Sequence, residues 1–356
     1  MNIMSAPPAP RVAVIVLTHD DYAQRYLPEC YASLRAQRYP AGLFRVFIVN
    51  NGGGETARRA IWRTAPDAQL IENEENLGWT GGNNRAVADA LAGPFEYVIV
   101  LNVDTVLDPR WLETLVDAAD ARPSQHILQS TIVLERTGAI QSIGNRIHYL
   151  GFGYCNGYGA SLDTAGPVAM DYASGAAMLI KRGVFEAIGV FRQDYFIYYD
   201  DMEFCWRARL AGFNVGLVRE SLCYHKYEFR ERLAKLYYYE RNRFLTLLTL
   251  ERWATMLLTL PCLLLAETVM SVYWCAKGRG MVRWQLLRYF ARPATWRIIR
   301  QRRREIAALR QRRDADIVGR FAGGIRFAEV DHPVLRYVIN PLLTVYWMLA
   351  RSLIVW

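Results

Sequence analysis

The chain has 356 residues, of which 52% are hydrophobic, 13% aromatic and 22% charged, and 43 Lys+Arg against 34 Asp+Glu leave +9 at pH 7. So much apolar surface excludes a disordered or low-complexity protein, because its burial offsets the entropy of ordering the chain. The length predicts one large domain with an appendage, or two domains. Six scattered cysteines, with no Cys-x-x-Cys pair and no Cys/His cluster at zinc spacing, argue for a reduced cytosolic setting and against structural zinc.

Residues 1–10 are rich in Ala and Pro, lack an apolar run of signal-peptide length, and are expected to form a disordered tail. From Arg11 to about Arg122, β-branched runs at Val12–Leu17, Arg45–Asn50, Gln69–Glu72 and Tyr97–Leu101 read as strands buried on both faces. Helical stretches at Tyr26–Gln37, Glu55–Thr64, Gly82–Ala92 and Arg110–Ala121 alternate with them. The alternation predicts an α/β fold of right-handed βαβ units around a mainly parallel sheet, with helices on both faces and a ligand site beyond the C-terminal strand ends. Polar residues collect at those ends: Thr18-His19-Asp20, Asn50-Asn51-Gly52, Asn76 to Asn84, and Asn102-Val103-Asp104. Turn chemistry alone accounts poorly for four such clusters in one half-domain.

The middle of the chain has strand candidates at Ile127–Val133, Ala173–Ile180 and Asn214–Val218, and Tyr149–Gly159 reads as a loop or irregular hairpin. The C-terminal quarter changes character, with 15 Lys/Arg against 5 Asp/Glu between Lys277 and Asp331. Trp253–Ala276 is long and apolar enough to cross a membrane. Two features oppose a crossing. Glu267 lies inside it, at a cost of about 2.5–3.5 kcal/mol at a helix centre, and a single crossing would place the basic segment outside the cell. Tyr337–Ala350, between arginines, suits an interfacial helix. The expectation is therefore apolar faces lying in a membrane surface, with Arg297 to Arg313 on anionic headgroups. A hairpin packed on the globular domain, or on another subunit, is the alternative. The arginines have no aromatic interleaving and no nucleic-acid fold around them, so nucleic acid is not an expected partner.

Three segments carry candidate chemistry. Val98 to Thr105 is an apolar strand delivering Asn102 and Asp104 to its end, where two oxygens suit a hard divalent cation that also binds phosphates; alternatively Asp104 only caps a turn. In Tyr195 to Glu203, four aromatics precede Asp200 and Asp201, and apolar walls with a like-charged neighbour raise a carboxylate pKa toward that of a general base. Asp200 with Glu203 also reads as a capping box for a helix running to Gly212. His225 is a third candidate, with a structural role as its alternative. The Asn76 to Asn84 joint, with three glycines, permits close backbone approach to a phosphate or base, but matches neither Walker A nor a Rossmann fingerprint.

Read in order, Val-Ile-Val-Leu-Thr-His-Asp (14–20), Ile-Val-Asn-Asn-Gly (48–52), Asn-Leu-Gly-Trp-Thr-Gly-Gly-Asn-Asn (76–84), Leu-Asn-Val-Asp-Thr (101–105), Ala-Ser-Gly-Ala-Ala-Met-Leu-Ile (173–180), the Tyr195 to Gly212 segment and His225 resemble the GT-A glycosyltransferases of family 2. Within that family they look most like bacterial rhamnosyltransferase-type members, over about Arg11 to Leu250. The resemblance implies a GT-A domain over 11–250, with a nucleotide-binding half (about 11–122) and an acceptor and catalytic half (about 123–250), then a helical, apolar and Arg-rich membrane-associated region over 251–356. It implies inverting transfer of one sugar from a nucleotide-sugar donor, dTDP-rhamnose being the donor it points to, with Mg²⁺ or Mn²⁺ on the diphosphate. The acceptor would be a polyprenyl-diphosphate-linked glycan for a cell-surface polysaccharide, at the cytoplasmic face of the bacterial inner membrane, with the enzyme peripheral or monotopic. A homo-oligomer stays open.

Carried over by position, Thr18 and Asp20 would lie against the nucleotide and Asn51 near its base, while Asn76, Gly78 and Asn84 would line the donor pocket. Asp104, matching the last acid of the DxD motif, and His225 would bind the metal. Asp201, the second acid of the family's acidic pair, would be the catalytic base, with Asp200 beside it. Asn102 stands where many relatives have the first Asp of DxD and would contact nucleotide; Asn50 replaces another common Asp. The processive signature Gln-x-x-Arg-Trp is absent, which implies one sugar per binding event. Arg241 and Arg243 would meet an acceptor diphosphate, or else form a solvated helix face. Two rival readings are a glycosyltransferase with a soluble acceptor and a C-terminal oligomerisation region, and a non-catalytic nucleotide-sugar-binding assembly protein.

Overall fold

The computed structural model describes residues 11–163, 166, 169–227, 233–326 and 333–356; the expected tail at 1–10 lies outside them. The first four predicted strands form, as β1 (Val12–Thr18), β2 (Phe44–Asn51), β3 (Gln69–Asn73) and β4 (Tyr97–Asn102). All four run parallel in the order β3-β2-β1-β4. The predicted helices lie between and after them as α1 (Tyr22–Arg25), α2 (Leu27–Arg35), α3 (Gly54–Thr64), α4 (Gly78–Ala92) and, past the short strand β5 (Thr105–Leu107), α5 (Trp111–Ala121).

The second half makes the sheet mixed. It contributes β6 (Ile127–Leu134), β7 (Ile140–Ser142), β8 (Asn145–Ile147), β9 (Gly153–Cys155), β10 (Ala177–Lys181) and β11 (Val215–His225). Among the described residues nine strands form one sheet, in the order β3-β2-β1-β4-β10-β6-β11-β5 with β7 on β6, while β8 and β9 pair as a separate hairpin. β10 runs antiparallel to both β4 and β6, and the end strand β5 antiparallel to β11, so the sheet is parallel only across β3-β2-β1-β4 and between β6 and β11. Three sequence expectations change here. β3, at the sheet edge, is half-buried instead of covered on both faces. The strand expected from Ala173 starts at Ala177, and the one expected to end at Val218 continues through a bulge to His225.

Strand alternation builds a core on each side of the sheet. Val12, Val14 and Val16 face Leu27, Trp111 and Leu115. Ala13, Ile15 and Leu17 face the larger core. That core takes in α6 (Arg182–Ile188), α7 (Asp200–Leu210) and α8 (Leu233–Leu250) and continues into α9 (Trp253–Ala276), α10 (Gly280–Phe290), α11 (Pro293–Leu309), α12 (Asp314–Ile317) and α13 (Asn340–Ser352). Tyr149 stacks on Trp347 at 4.6 Å between ring centroids, with the planes 5° apart, so the C-terminal helices and the sheet domain share packed rings.

The outer faces of α9, α10 and α13 remain apolar and uncovered: Leu257, Leu265, Trp284, Leu287, Leu342 and Leu349 are each more than half exposed. A surface this apolar over three helices exceeds what scattered exposed side chains produce. Five of the eight arginines between Arg297 and Arg313 are committed within the protein. Arg302 pairs with Asp194, Arg303 donates to the Leu248 and Glu251 carbonyls, Arg310 pairs with Asp314, Arg312 donates to Gly212 O, and Arg313 pairs with Asp316. Only Arg297, Arg300 and Arg304 of that run stand exposed without such a bond among the described residues.

Candidate active site

The pairing of β5 with β11, His225 opposite Thr105, brings the turn after β4 beside the end of β11. Asp104 Oδ1 lies 3.2 Å from His225 Nε2, and His225 Nδ1 lies 2.8 Å from Gln141 Oε1. An amide oxygen only accepts, so the imidazole proton sits on Nδ1. A neutral ring then turns the Nε2 lone pair toward a carboxylate oxygen, and two acceptors this close call for a cation or a proton between them. Among the described residues no cluster of three or more His, Cys, Asp or Glu side chains could hold an ion. Two convergent donors fit a cation that completes its shell with phosphate oxygens and water, and Gln141 fixes the ring as outer partners of metal-binding histidines do. Gln141 lay outside every motif, and its role follows only from β7 pairing on β6.

Asn102, one step before this pair, accepts a hydrogen bond from the Trp79 indole N–H at 3.2 Å. Trp79 packs against Gly175 so closely that a Cβ there would lie 2.7 Å from its ring, and edge-on to Phe191 at 5.0 Å. The Gly175 N–H in turn donates to Asp201 Oδ2 at 3.1 Å. One path therefore runs from His225 to Asp104, two residues back along the chain to Asn102, and by contacts through Trp79 and Gly175 to Asp201.

Asp201 also accepts from the Met202 N–H through Oδ1 at 2.7 Å. Burial pushes its carboxyl up to about 6, against the opposing pull of the backbone N–H groups. Burial first, and the Asp201 charge second, hold Asp200 well above the ordinary carboxylate range. The expected capping box is absent. Tyr199, at φ +65°, is the N-cap and makes no side-chain cap bond, Asp200 lies inside the first turn, and Glu203 is buried in a pair with Arg207 at 2.9 Å. Three non-glycine residues just before Asp200 have left-handed backbones: Phe196, Tyr198 and Tyr199 at φ +64°, +65° and +65°. Each such residue costs about 1–3 kcal/mol and persists only when its surroundings over-determine it. Asn242 supplies that restraint, its buried Nδ2 donating to the carbonyls of Tyr195, Ile197 and Tyr198 at 2.8–2.9 Å.

The residues expected around the nucleotide divide into two groups. Asp20, at the β1 end with its side chain 71% exposed, and Asn76, on the surface, are open to a ligand. Gly78 opens α4 at φ +72°, where a Cβ would strike Phe196. The others are used internally. Thr18 is fully buried and donates to Val49 O at 3.0 Å. Asn51, 1% exposed, donates to Asn76 Oδ1 and Gly78 O and accepts from Asn73 Nδ2 and Leu77 N–H, so it braces the loop and has no free edge for a base. Asn84 brackets the backbone of Phe191 with both amide atoms, at 2.8 and 3.1 Å. Asn50 holds its own turn, accepting from Gly53 N–H and donating to Gly54 O.

Arg241 and Arg243 are corrected most sharply. Arg243 is wholly buried, paired with Glu240 at 3.0 Å and with Glu267, and Arg283 bridges the same two carboxylates at 3.2 and 2.9 Å. Arg241, 8% exposed, donates to the carbonyls of Asp194 and Tyr195 and to Asn242. Neither forms a solvated helix face, and Arg243 has no route to a diphosphate. The same quartet explains Glu267 inside the apolar α9: it faces two guanidinium groups, not lipid.

Residues 13–189 match the family model described as glycosyl transferase family 2. The chain is 27% identical over 213 residues to the low-salt glycan biosynthesis hexosyltransferase Agl10 of Haloferax volcanii, covering 58% of this chain and 67% of that protein. It is 24% identical over 204 residues to the N-acetylglucosaminyl-diphospho-decaprenol L-rhamnosyltransferase of Mycobacterium tuberculosis, covering 51% and 66%. The alignments thus span about two thirds of these relatives' lengths. Among solved structures, GalNAc-T7 with UDP, GalNAc and Mn²⁺ shares the fold at a TM-score of 0.52 and 11% identity, over 68% of this chain and 48% of that one.

Proposed function

Because the chain belongs to glycosyl transferase family 2 through residues 13–189, we propose that this glycosyltransferase moves one sugar, with inversion, from a nucleotide donor to a lipid-linked glycan at a membrane surface. The observation that carries the reading is that the strand end bearing Asn102 and the Asp104–His225 pair is joined to Asp201 by contacts through Trp79 and Gly175. It sets a cation-competent pair at one end of a single site and a carboxylate tuned near neutrality at the other. Asp201 takes the proton of the acceptor hydroxyl while that oxygen bonds to the anomeric carbon from the face opposite the departing nucleoside diphosphate. Asp104 and His225 would hold a divalent ion, Mg²⁺ or Mn²⁺, whose chemistry is neutralisation of charge on the diphosphate. Asp20 and Asn76, both exposed, would face the nucleotide, and Asn102, which accepts the Trp79 indole N–H, would border the same side.

Two observations favour a lipid-linked acceptor: the mycobacterial relative is named for a decaprenol diphosphate substrate, and α9, α10 and α13 present apolar faces. With Glu267 tied into a protein ion quartet, those faces suit lying in the cytoplasmic membrane surface better than crossing it. Rhamnose is the favoured sugar on the strength of the same relative's name. Replacing Asp104 with Ala should weaken Mn²⁺-dependent binding of dTDP- or UDP-sugars, read by calorimetry, by about tenfold or more, the equivalent of one lost charge-assisted contact. Equal affinity with and without Mn²⁺ in both proteins would remove the metal assignment.

A further inference from the structure

Between α8 and α10 lies a cleft of about 380 Å³ lined by Tyr237, Tyr238, Gln285, Arg288, Tyr289 and Arg292. We infer that this cleft binds the diphosphate of the amphiphilic acceptor, an inference that rests on the lipid-linked reading above. Its lining contains no carboxylate; phenol, amide and guanidinium groups all offer donors, which selects for an anion. Arg288 and Arg292 are exposed and make no side-chain hydrogen bond or ion pair among the described residues, unlike the arginines of the quartet. Arg241 stands behind the aromatic wall, its guanidinium 4.9 Å from the Tyr238 ring and 5.5 Å from those of Tyr237 and Tyr289, adding fixed positive charge without being free to bind.

Position supplies the rest. Gln285, Arg288 and Tyr289 fall at helical spacing on one side of α10, Arg292 follows just past its end as the N-cap of α11, and Met281, Trp284 and Leu287, all more than 60% exposed, form the adjoining stripe. A phosphate in the cleft therefore borders an uncovered apolar face on which a lipid chain can lie. On its other side, Tyr238 stacks on Phe196 at 5.0 Å with planes 19° apart, and Phe196 closes against Gly78 of the donor loop. The cleft and the donor site thus share one wall, just ahead of Asp200 and Asp201 in the chain. A sugar attached to a diphosphate held here is directed toward the carboxylate pair, with its lipid directed away.

The test uses the full-length protein in detergent, with farnesyl diphosphate, farnesol and inorganic pyrophosphate as probes read by calorimetry. Farnesyl diphosphate should bind more tightly than pyrophosphate and far more tightly than farnesol. The R288A/R292A double variant, altered only at exposed positions, should lose about tenfold or more of that affinity and keep its nucleotide-sugar affinity. Unaltered farnesyl diphosphate binding in the variant overturns the inference, as does equal binding of pyrophosphate, which would make the apolar rim irrelevant. A variant that partitions less onto phosphatidylglycerol vesicles yet binds farnesyl diphosphate normally would assign the arginines to bulk headgroups and also overturn it. If the wild type binds both ligands at separate sites but transfers no sugar, the catalytic reading fails and this one stands.

Discussion

Asp201→Asn should lower sugar transfer by about 10²–10⁴-fold, the range for removing a positioned general base, while leaving nucleotide-sugar affinity unchanged. The substitution is nearly isosteric, and its amide oxygen can still accept from the Gly175 N–H while the amide nitrogen gives up the Met202 N–H bond, so the loop and Trp79 should stay in place. What disappears is the ability to take a proton. The wild-type pH profile gives an independent readout. Burial raises the Asp201 carboxyl to about 6, so the base is ionised above that pH and protonated below it. Transfer should therefore be level above about pH 6 and fall as pH drops through that value. Asp200, held higher by burial and by its neighbour's charge, keeps its proton over the same range, which lets one carboxylate of a buried pair ionise alone. Full transfer by the Asn variant would remove Asp201 as the base.

Arg243→Ala should destabilise the fold by about 3–5 kcal/mol, because removing one partner of a buried pair leaves charge uncompensated. Glu240 and Glu267 would then share Arg283 alone, in a site where Arg243 is 0% exposed. The effect should reach past α8, since Glu267 belongs to α9 and Arg283 to α10, and Arg243 also donates to the Leu150 carbonyl at 3.1 Å. Denaturant or thermal unfolding measures it. A diphosphate-binding Arg243 would behave oppositely, weakening acceptor binding at unchanged stability.

The strands β1, β2 and β4 were legible because apolar runs rich in Val and Ile have one use in such a fold, and the places of Asp104 just past a strand and of Asp201 in the first turn of a helix followed from the same periodicity. Arg243 was not legible. Its residue type and its aromatic surroundings are those of a phosphate site, and what decides its role is a pair of carboxylates, one of them 24 residues away in an apolar helix. Asn84 and Asn51 failed for the same reason, their partners being backbone groups or amides brought in by the fold, 107 residues distant for Asn84. The Asp200–Glu203 spacing fits a capping box, but left-handed Tyr199 starts the helix one residue earlier than the motif requires. Gln141 and Asn242 had no local signal, because each acts on a side chain or carbonyl that only the β7–β6 pairing or the α8 packing delivers.

The most direct measurement is transfer itself. Full-length protein in detergent, given a dTDP-, UDP- or GDP-sugar, a synthetic polyprenyl-diphosphate sugar and Mn²⁺ or Mg²⁺, should release nucleoside diphosphate and add the mass of one sugar to the acceptor, and chelation should abolish both. Metal-independent transfer would contradict the role given to Asp104 and His225. Binding of every donor tested with transfer to none would contradict the central claim that Asp201 and the Asp104–His225 pair form one catalytic site.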